Sequence, residues 1–187
     1  VGAASDGNPH RWYNPDDVRQ VIDAISADLT AADPLDADYF AAQKQAYPTT
    51  GLASYNALIA EIKAKYAGPP VGASESIFAM MAPALGLNLL TRPTFLHAIS
   101  EGTAPTASDK STIDAQIKNH EIKVYVYNSQ NATPDVQAQV DEAKAAGIPV
   151  TQITETLVPA TASFQQWQSD QLQALEKALA QAEKASP

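Results

Sequence analysis

Chemistry could begin at the stretch Gly7-Asn8-Pro9-His10-Arg11-Trp12-Tyr13-Asn14-Pro15-Asp16-Asp17-Val18. It sets His10 between a proline and two aromatics, just ahead of a helix start, so the imidazole is held rather than carried on a floppy tail. An imidazole in such a place can bind a metal or move a proton, although a lone histidine beside an aromatic ring is more often simply packed. Glu75 and Glu155 are the other candidates, each following a short apolar run that reads as a strand. In open parallel sheets, ligands sit beyond the carboxyl ends of the strands. That rule picks out Glu75, Asn128 and Glu155, with Arg92 closing a further strand. Two carboxylates at one edge repel each other unless a proton, a lysine or a metal cation lies between them, and no lysine adjoins either glutamate in the sequence. Each glutamate also has a plainer reading: Glu75 as a carboxylate favoured by a helix N-terminus, Glu155 as an ordinary loop acid. Asn128, Gln130 and Asn131 form a polar loop that could orient Glu155 or a bound water. His97 and His120 read as structural or solvent-facing, and Tyr125 and Tyr127 as packing.

The elements that must position these residues follow from apolar spacing and caps. Asn14 is a good N-cap, Pro15 suits the first helical position, and Asp16 and Asp17 favour the positive end of the helix dipole. Val18, Val21, Ile22, Ile25 and Leu29 then recur at helical spacing and predict a first helix over about residues 15–29. Asp33-Pro34 opens a second helix. Pro48-Thr-Thr-Gly51 should break or kink it before a stripe of Leu52, Tyr55, Leu58, Ile59, Ile62 and Tyr66. Beyond Gly68-Pro69-Pro70, short apolar runs alternate with helical patterns. Strands are expected at 71–73, 87–90, 122–127 and 150–154. Helices are expected at 75–85 (bent at Pro83), around 95–99, from the capping box Thr106-Ala-Ser-Asp109, from Thr133-Pro134 to Gly147, and over 161–182. This alternation predicts an α/β fold: a four-stranded parallel sheet with helices on both faces, preceded by a helical connector.

Composition narrows the partners. The chain has 187 residues, 45% of them hydrophobic, enough to bury a core in one large domain or a domain with an appendage. With no cysteine it can build neither a disulfide frame nor a thiolate metal site. A net charge of -9 argues against nucleic acid and mildly favours attracting cations. No apolar run is long enough to span a membrane.

Asn8-Pro9-His10-x-Trp12 followed by the Asn14-Pro15 helix start resembles the metal-binding solute receptors of bacterial ABC importers, the zinc/manganese group called the TroA-like family. Val71-Gly-Ala-Ser-Glu75-Ser-Ile-Phe78, the Glu101-Gly-Thr-Ala-Pro105 loop and Val150-Thr-Gln-Ile-Thr-Glu155-Thr-Leu157 occur in that family's order, so the resemblance covers essentially the whole chain. It implies that His10 matches the family's second metal ligand, Glu75 its third and Glu155 its fourth. The third position is His in many zinc receptors and Glu in many manganese receptors. The fourth is usually Asp, so Glu155 departs by one methylene. The family carries its first ligand in an N-terminal lobe that precedes this motif. The resemblance therefore implies three parts: residues 1–32 as a remnant of that lobe, 33–68 as connecting helices broken near Pro48, and 69–187 as the C-terminal α/β metal-binding lobe. One imidazole and two carboxylates suit Mn²⁺, Fe²⁺ or Zn²⁺ and are poor for Cu(I).

The function so implied is extracytoplasmic capture of Zn²⁺ or Mn²⁺ for an ABC permease, by binding rather than catalysis, with the full-length protein tethered as a lipoprotein. Two rivals stand beside it. A hydrolase could use the paired glutamates, but no Gly-x-Ser-x-Gly elbow or phosphate-binding glycine loop is present. A metal-free interaction module is the second. The apolar stripe of the first helix is expected to fold back on the connector or to pair with a second copy as a homodimer.

Overall fold

A computed structural model describes residues 7–185. Asn14 caps the first helix, α1 (Pro15–Ala32), by accepting a hydrogen bond from the Asp16 amide. A 3₁₀ turn opened by Asp33 leads to α2 (Ala37–Ala46). Pro48 then breaks the helical run, as its missing N–H requires: a second 3₁₀ turn (Tyr47–Thr49) separates α2 from α3 (Ala53–Tyr66). Leu52, Tyr55, Leu58 and Ile62 of the expected stripe are buried, and α3 packs against α8, the long last helix (Phe164–Ala185).

The sheet has four parallel strands: β1 (Pro70–Ala73), β2 (Asn88–Leu89), β3 (Val124–Asn128) and β4 (Val150–Ile153). Their spatial order is β2-β1-β3-β4. Val71 pairs with Val124 and Asn128 with Ile153. Val124, Tyr125 and Val126 are consecutive and all buried. Successive side chains point to opposite faces, so helices cover the sheet on both sides. On one face, Tyr125 donates to Gln139 of α7 (Pro134–Ala145) at 2.6 Å. Gly72 lies there too, and a Cβ on it would stand 2.7 Å from Ile122 and 3.1 Å from the Tyr125 ring. Two further helices, α5 (Pro93–Ser100) and α6 (Ala107–Lys118), follow β2, and the Thr106 hydroxyl caps α6 as expected.

One element is shorter than its pattern predicts. The helix expected over 75–85 is a single turn, α4 (Ser76–Ala79), continued by irregular turns to Gly86. Pro83 cannot donate to the helical ladder and disfavours helical geometry at the residue before it, so the apolar run stays buried without staying helical. The strand order matters for function. From β1 the chain moves outward to β2, then returns past β1 to β3, so the connections leaving β1 and β3 diverge. A crevice at such a switch point is where open α/β sheets bind ligands.

Candidate metal centre

Glu75 leaves the carboxyl end of β1 and Asn128 ends β3, so both flank the switch point. Ser74 fixes their relation: its amide donates to the Val126 carbonyl at 2.9 Å and its Oγ accepts from the Asn128 amide at 3.0 Å. Glu75 is only 2% exposed. Its Oε2 accepts from Asn128 Nδ2 at 2.8 Å and from Asn131 Nδ2 at 3.3 Å.

Glu155 follows β4 and reaches the site from a more open position, its side chain 45% exposed. The backbone beneath it is nevertheless clamped. The Thr154 amide donates to Gln171 Oε1 at 2.7 Å, its carbonyl accepts from the Tyr13 hydroxyl at 2.7 Å, and its Oγ1 accepts from Trp167 Nε1 at 2.8 Å. Gln130 Oε1 then accepts from the Glu155 and Thr156 amides at 2.8 and 2.9 Å.

His10 comes from outside the sheet. Asn8 Oδ1 accepts from the His10 amide at 3.0 Å and lies 2.9 Å from its Nδ1. Because Asn8 Nδ2 donates to the Ser76 carbonyl at 2.9 Å, the Oδ1 must face the ring. In the neutral ring Nδ1 therefore carries the proton and Nε2 offers its lone pair. Trp12 packs edge-on against the imidazole, with centroids 5.5 Å apart. Tyr13 ties the same loop to β4 and packs edge-on against Trp167. Burial pushes the Tyr13 hydroxyl well above the ordinary tyrosine range.

These supports bring the three sequence candidates together. One ligand atom each from His10, Glu75 and Glu155 lies within 4.8 Å of the other two, and His10 Nε2 is 3.5 Å from Glu155 Oε1. Donors around a tetrahedral metal stand about 3.3–3.5 Å apart; the His10–Glu155 pair is already at that spacing, and the widest pair must close by up to roughly 1.4 Å. Among the described residues no lysine or arginine pairs with Glu75 or Glu155. A buried carboxylate beside a second one is costly without a compensating positive charge. A divalent cation would supply it.

His97 and His120 are both exposed, as expected, and lie outside the cluster. Arg92 is engaged elsewhere, 3.5 Å from Asp109. The polar loop acts differently from its expected role: Asn128 and Asn131 hold Glu75, while Gln130 alone supports Glu155, through its backbone. Sequence reasoning missed Asn8 and Gln171 as supports, and placed Tyr13 beside His10 without its bond to Thr154. Asn8 and Tyr13 lie inside the motif that drew attention to His10, but Gln171 sits mid-helix and carries no local signal.

No curated protein sequence matches the chain. Among solved structures, a periplasmic metal binding protein from candidatus liberibacter asiaticus aligns over 96% of this chain and 67% of its own, at 22% identity and a TM-score of 0.71. Its Mn-bound form aligns over the same shares at 21% identity and a TM-score of 0.70. A mutant of the laminin-binding adhesin Lmb from Streptococcus agalactiae aligns over 96% of this chain and 66% of its own, at 18% identity and a TM-score of 0.69. At these identities the likeness establishes the fold alone, an α/β architecture. A family model described as zinc-uptake complex component A, periplasmic, matches residues 2–178. With nearly the whole chain matched, the protein belongs to that family, the ZnuA family of periplasmic metal-binding proteins.

Proposed function

We propose that this chain captures a divalent transition metal, Zn²⁺ or Mn²⁺, outside the cytoplasm and delivers it to an ABC import permease, with His10, Glu75 and Glu155 as its metal ligands. The observation that carries the reading is the convergence of one imidazole and two carboxylates within 4.8 Å at the sheet's switch point, one of the carboxylates buried with no lysine or arginine paired to it among the described residues. Family membership and the Mn- and Cd-bound forms of a similar structure support it. Three protein donors leave at least one position of a tetrahedral shell for water or for a ligand from elsewhere. The process is binding and release, with no chemical step.

In this reading residues 1–32 belong to an N-terminal lobe, 33–68 connect, and 69–187 form the lobe that supplies both glutamates. The full-length protein is tethered at the membrane as a lipoprotein, which radiolabelled fatty-acid incorporation would test. No helix among the described residues is long and apolar enough to cross a membrane. Pairing of two copies through α1 belongs to the same proposal. It is supported by Val21, Ile25 and Leu29, which are 41%, 54% and 45% exposed along one stripe.

The decisive experiment is elemental analysis and calorimetric titration of the purified protein beside its Glu75→Ala variant. One bound Zn²⁺ or Mn²⁺ per chain, lost in the variant, is the expected result. Equal metal content in both proteins would place the metal elsewhere and sink the assignment.

A further inference from the structure

Residue type alone puts Glu75 on the manganese side of the family's third position; its hydrogen bonds point the other way. We infer that Asn128 and Asn131 restrict Glu75 to one metal-binding oxygen and thereby bias the site toward ions satisfied by four donors, Zn²⁺ above Mn²⁺. The inference rests on the assignment of Glu75 as a ligand.

Both amides have a settled orientation. Asn128 Oδ1 accepts from the Gln130 amide at 3.0 Å, so its Nδ2 must face Glu75. Asn131 Nδ2 donates to both Glu75 Oε2 and the Ile99 carbonyl, at 3.3 and 3.1 Å. Both partners are acceptors, so only the amide nitrogen fits there. Glu75 Oε2 thus accepts two N–H bonds, while among the described residues no hydrogen bond reaches Oε1. Two donors on one carboxylate oxygen occupy the lone pairs that a bidentate metal would need.

The donors cannot easily withdraw. Asn128 is fully buried, and both its main-chain N–H and its Oδ1 are engaged. Asn131 is held at the Asn128 carbonyl by its own amide at 3.2 Å. A carboxylate kept monodentate leaves the site one oxygen short. Four-coordinate Zn²⁺ tolerates that shortage, whereas Mn²⁺ prefers octahedral oxygen-rich shells. Zn²⁺ outranks Mn²⁺ at almost any nitrogen–oxygen site, so the informative quantity is the change in their affinity ratio when an amide is removed.

The primary variant is Asn131→Ala, because that side chain is only half-buried and its loss leaves Asn128 to hold the strand end. Zn²⁺ and Mn²⁺ affinities are measured by competition with chromophoric chelators on wild type and variant, and each protein is also loaded with Co²⁺. Wild type should show the intense visible absorption of four-coordinate Co²⁺. The variant should lose roughly tenfold in Zn²⁺ affinity, the scale typical of outer-partner mutations. Mn²⁺ affinity should hold or rise, and the Co²⁺ bands should weaken as the coordination number grows. Parallel loss of both affinities with an unchanged Co²⁺ spectrum would mean that Asn131 merely supports the fold, and would overturn the inference. So would weakly absorbing, six-coordinate Co²⁺ in the wild type. A folded wild type that binds none of these ions would overturn the metal assignment itself, an outcome distinct from binding without discrimination. Asn128→Ser is the second variant; if it folds, it should shift the ratio in the same direction.

Discussion

The sheet edge at Glu75 and the open face of α1 use their side chains in opposite ways. At the edge, polar atoms are buried and matched: Glu75 to two asparagines, His10 to Asn8, Thr154 to Tyr13, Gln171 and Trp167. On α1, Val21, Ile25 and Leu29 stand in water although their spacing is that of a core-facing stripe. Phe40, Tyr47 and Leu52 help line the same groove, of about 680 Å³. Matched polar burial fixes donor atoms in space, which a ligand site requires. An apolar face without cover fixes nothing and marks a surface that gains free energy when something covers it. The first region therefore speaks to ligand chemistry and the second to association.

The comparison breaks hardest at the ligands. Glu75→Ala removes a buried donor, and metal affinity should fall by more than the roughly 10–100-fold that loss of an outer partner costs. Thermal shift with added Zn²⁺ reads this directly. A wild type saturated at a hundred times its Kd gains about 2.7 kcal/mol, and the variant should gain close to nothing. Asn8→Ala comes next. It frees the His10 ring to take the other tautomer, with the proton on the nitrogen that faces Glu155, and affinity should drop roughly tenfold. Undiminished affinity in this variant would show that the imidazole needs no such partner.

Tyr13 joins the His10 loop to β4, and its hydroxyl is a smaller lever. Tyr13→Phe removes the hydroxyl whose single proton the Thr154 carbonyl and Gln171 Oε1 both face and should cost about 1–2 kcal/mol of stability by denaturant unfolding. Alkali should expose the same group. Burial raises the hydroxyls of Tyr13, Tyr55 and Tyr125 above their ordinary value. The unfolded chain would ionise these groups from about pH 10, while the folded chain keeps them protonated. Their contribution is fully present below about pH 10 and is lost as the pH rises from there. Stability should therefore fall with rising pH in that window, less steeply in Tyr13→Phe. A flat profile would mean that the phenols ionise as readily in the folded state.

The two regions also differ in how far the sequence discloses them. Caps and breaks lie in a few adjacent residues, so Asn14, Asp33-Pro34, Pro48 and Thr106 mark their elements correctly. The strand ends follow from apolar runs bounded by polar residues, which is why Glu75, Asn128 and Glu155 could be set at one edge. The helix expected over 75–85 shrinks to Ser76–Ala79 because an apolar run looks the same whether it is buried as helix or as turns, and Pro83 falls among the turns that follow. Which residue each asparagine serves was not legible. Asn128 and Asn131 reach Glu75 across the sheet, from 53 and 56 residues away, and no local pattern encodes that distance. The stripe on α1 was legible as apolar, but its cover was not, since periodicity tells which face is apolar and says nothing of what meets it.

The mildest substitution tests that cover. α1 leans on α2 but does not close the stripe. Full burial of one large apolar side chain is worth roughly 1.5–3 kcal/mol, so pairing two copies through Val21, Ile25 and Leu29 would gain from several such groups at once. Charge opposes it: residues 15–46 hold seven aspartates against Arg19 and Lys44 alone, and a second copy brings the same excess. Like charges repel less as salt shortens the screening length, to about 8 Å at physiological ionic strength and about 3 Å at 1 M. Light scattering across a concentration series should therefore show a monomer–dimer equilibrium that moves toward dimer as NaCl is raised. Ile25→Asp should abolish the dimer yet change monomer stability by no more than about 0.5 kcal/mol, since the side chain it replaces is already mostly in water. A dimer that persists in Ile25→Asp would put the contact on another face. A strict monomer at every salt concentration would leave the stripe uncovered by self-association, and hydrogen exchange over residues 15–30 would then show whether α1 stays folded without cover or frays.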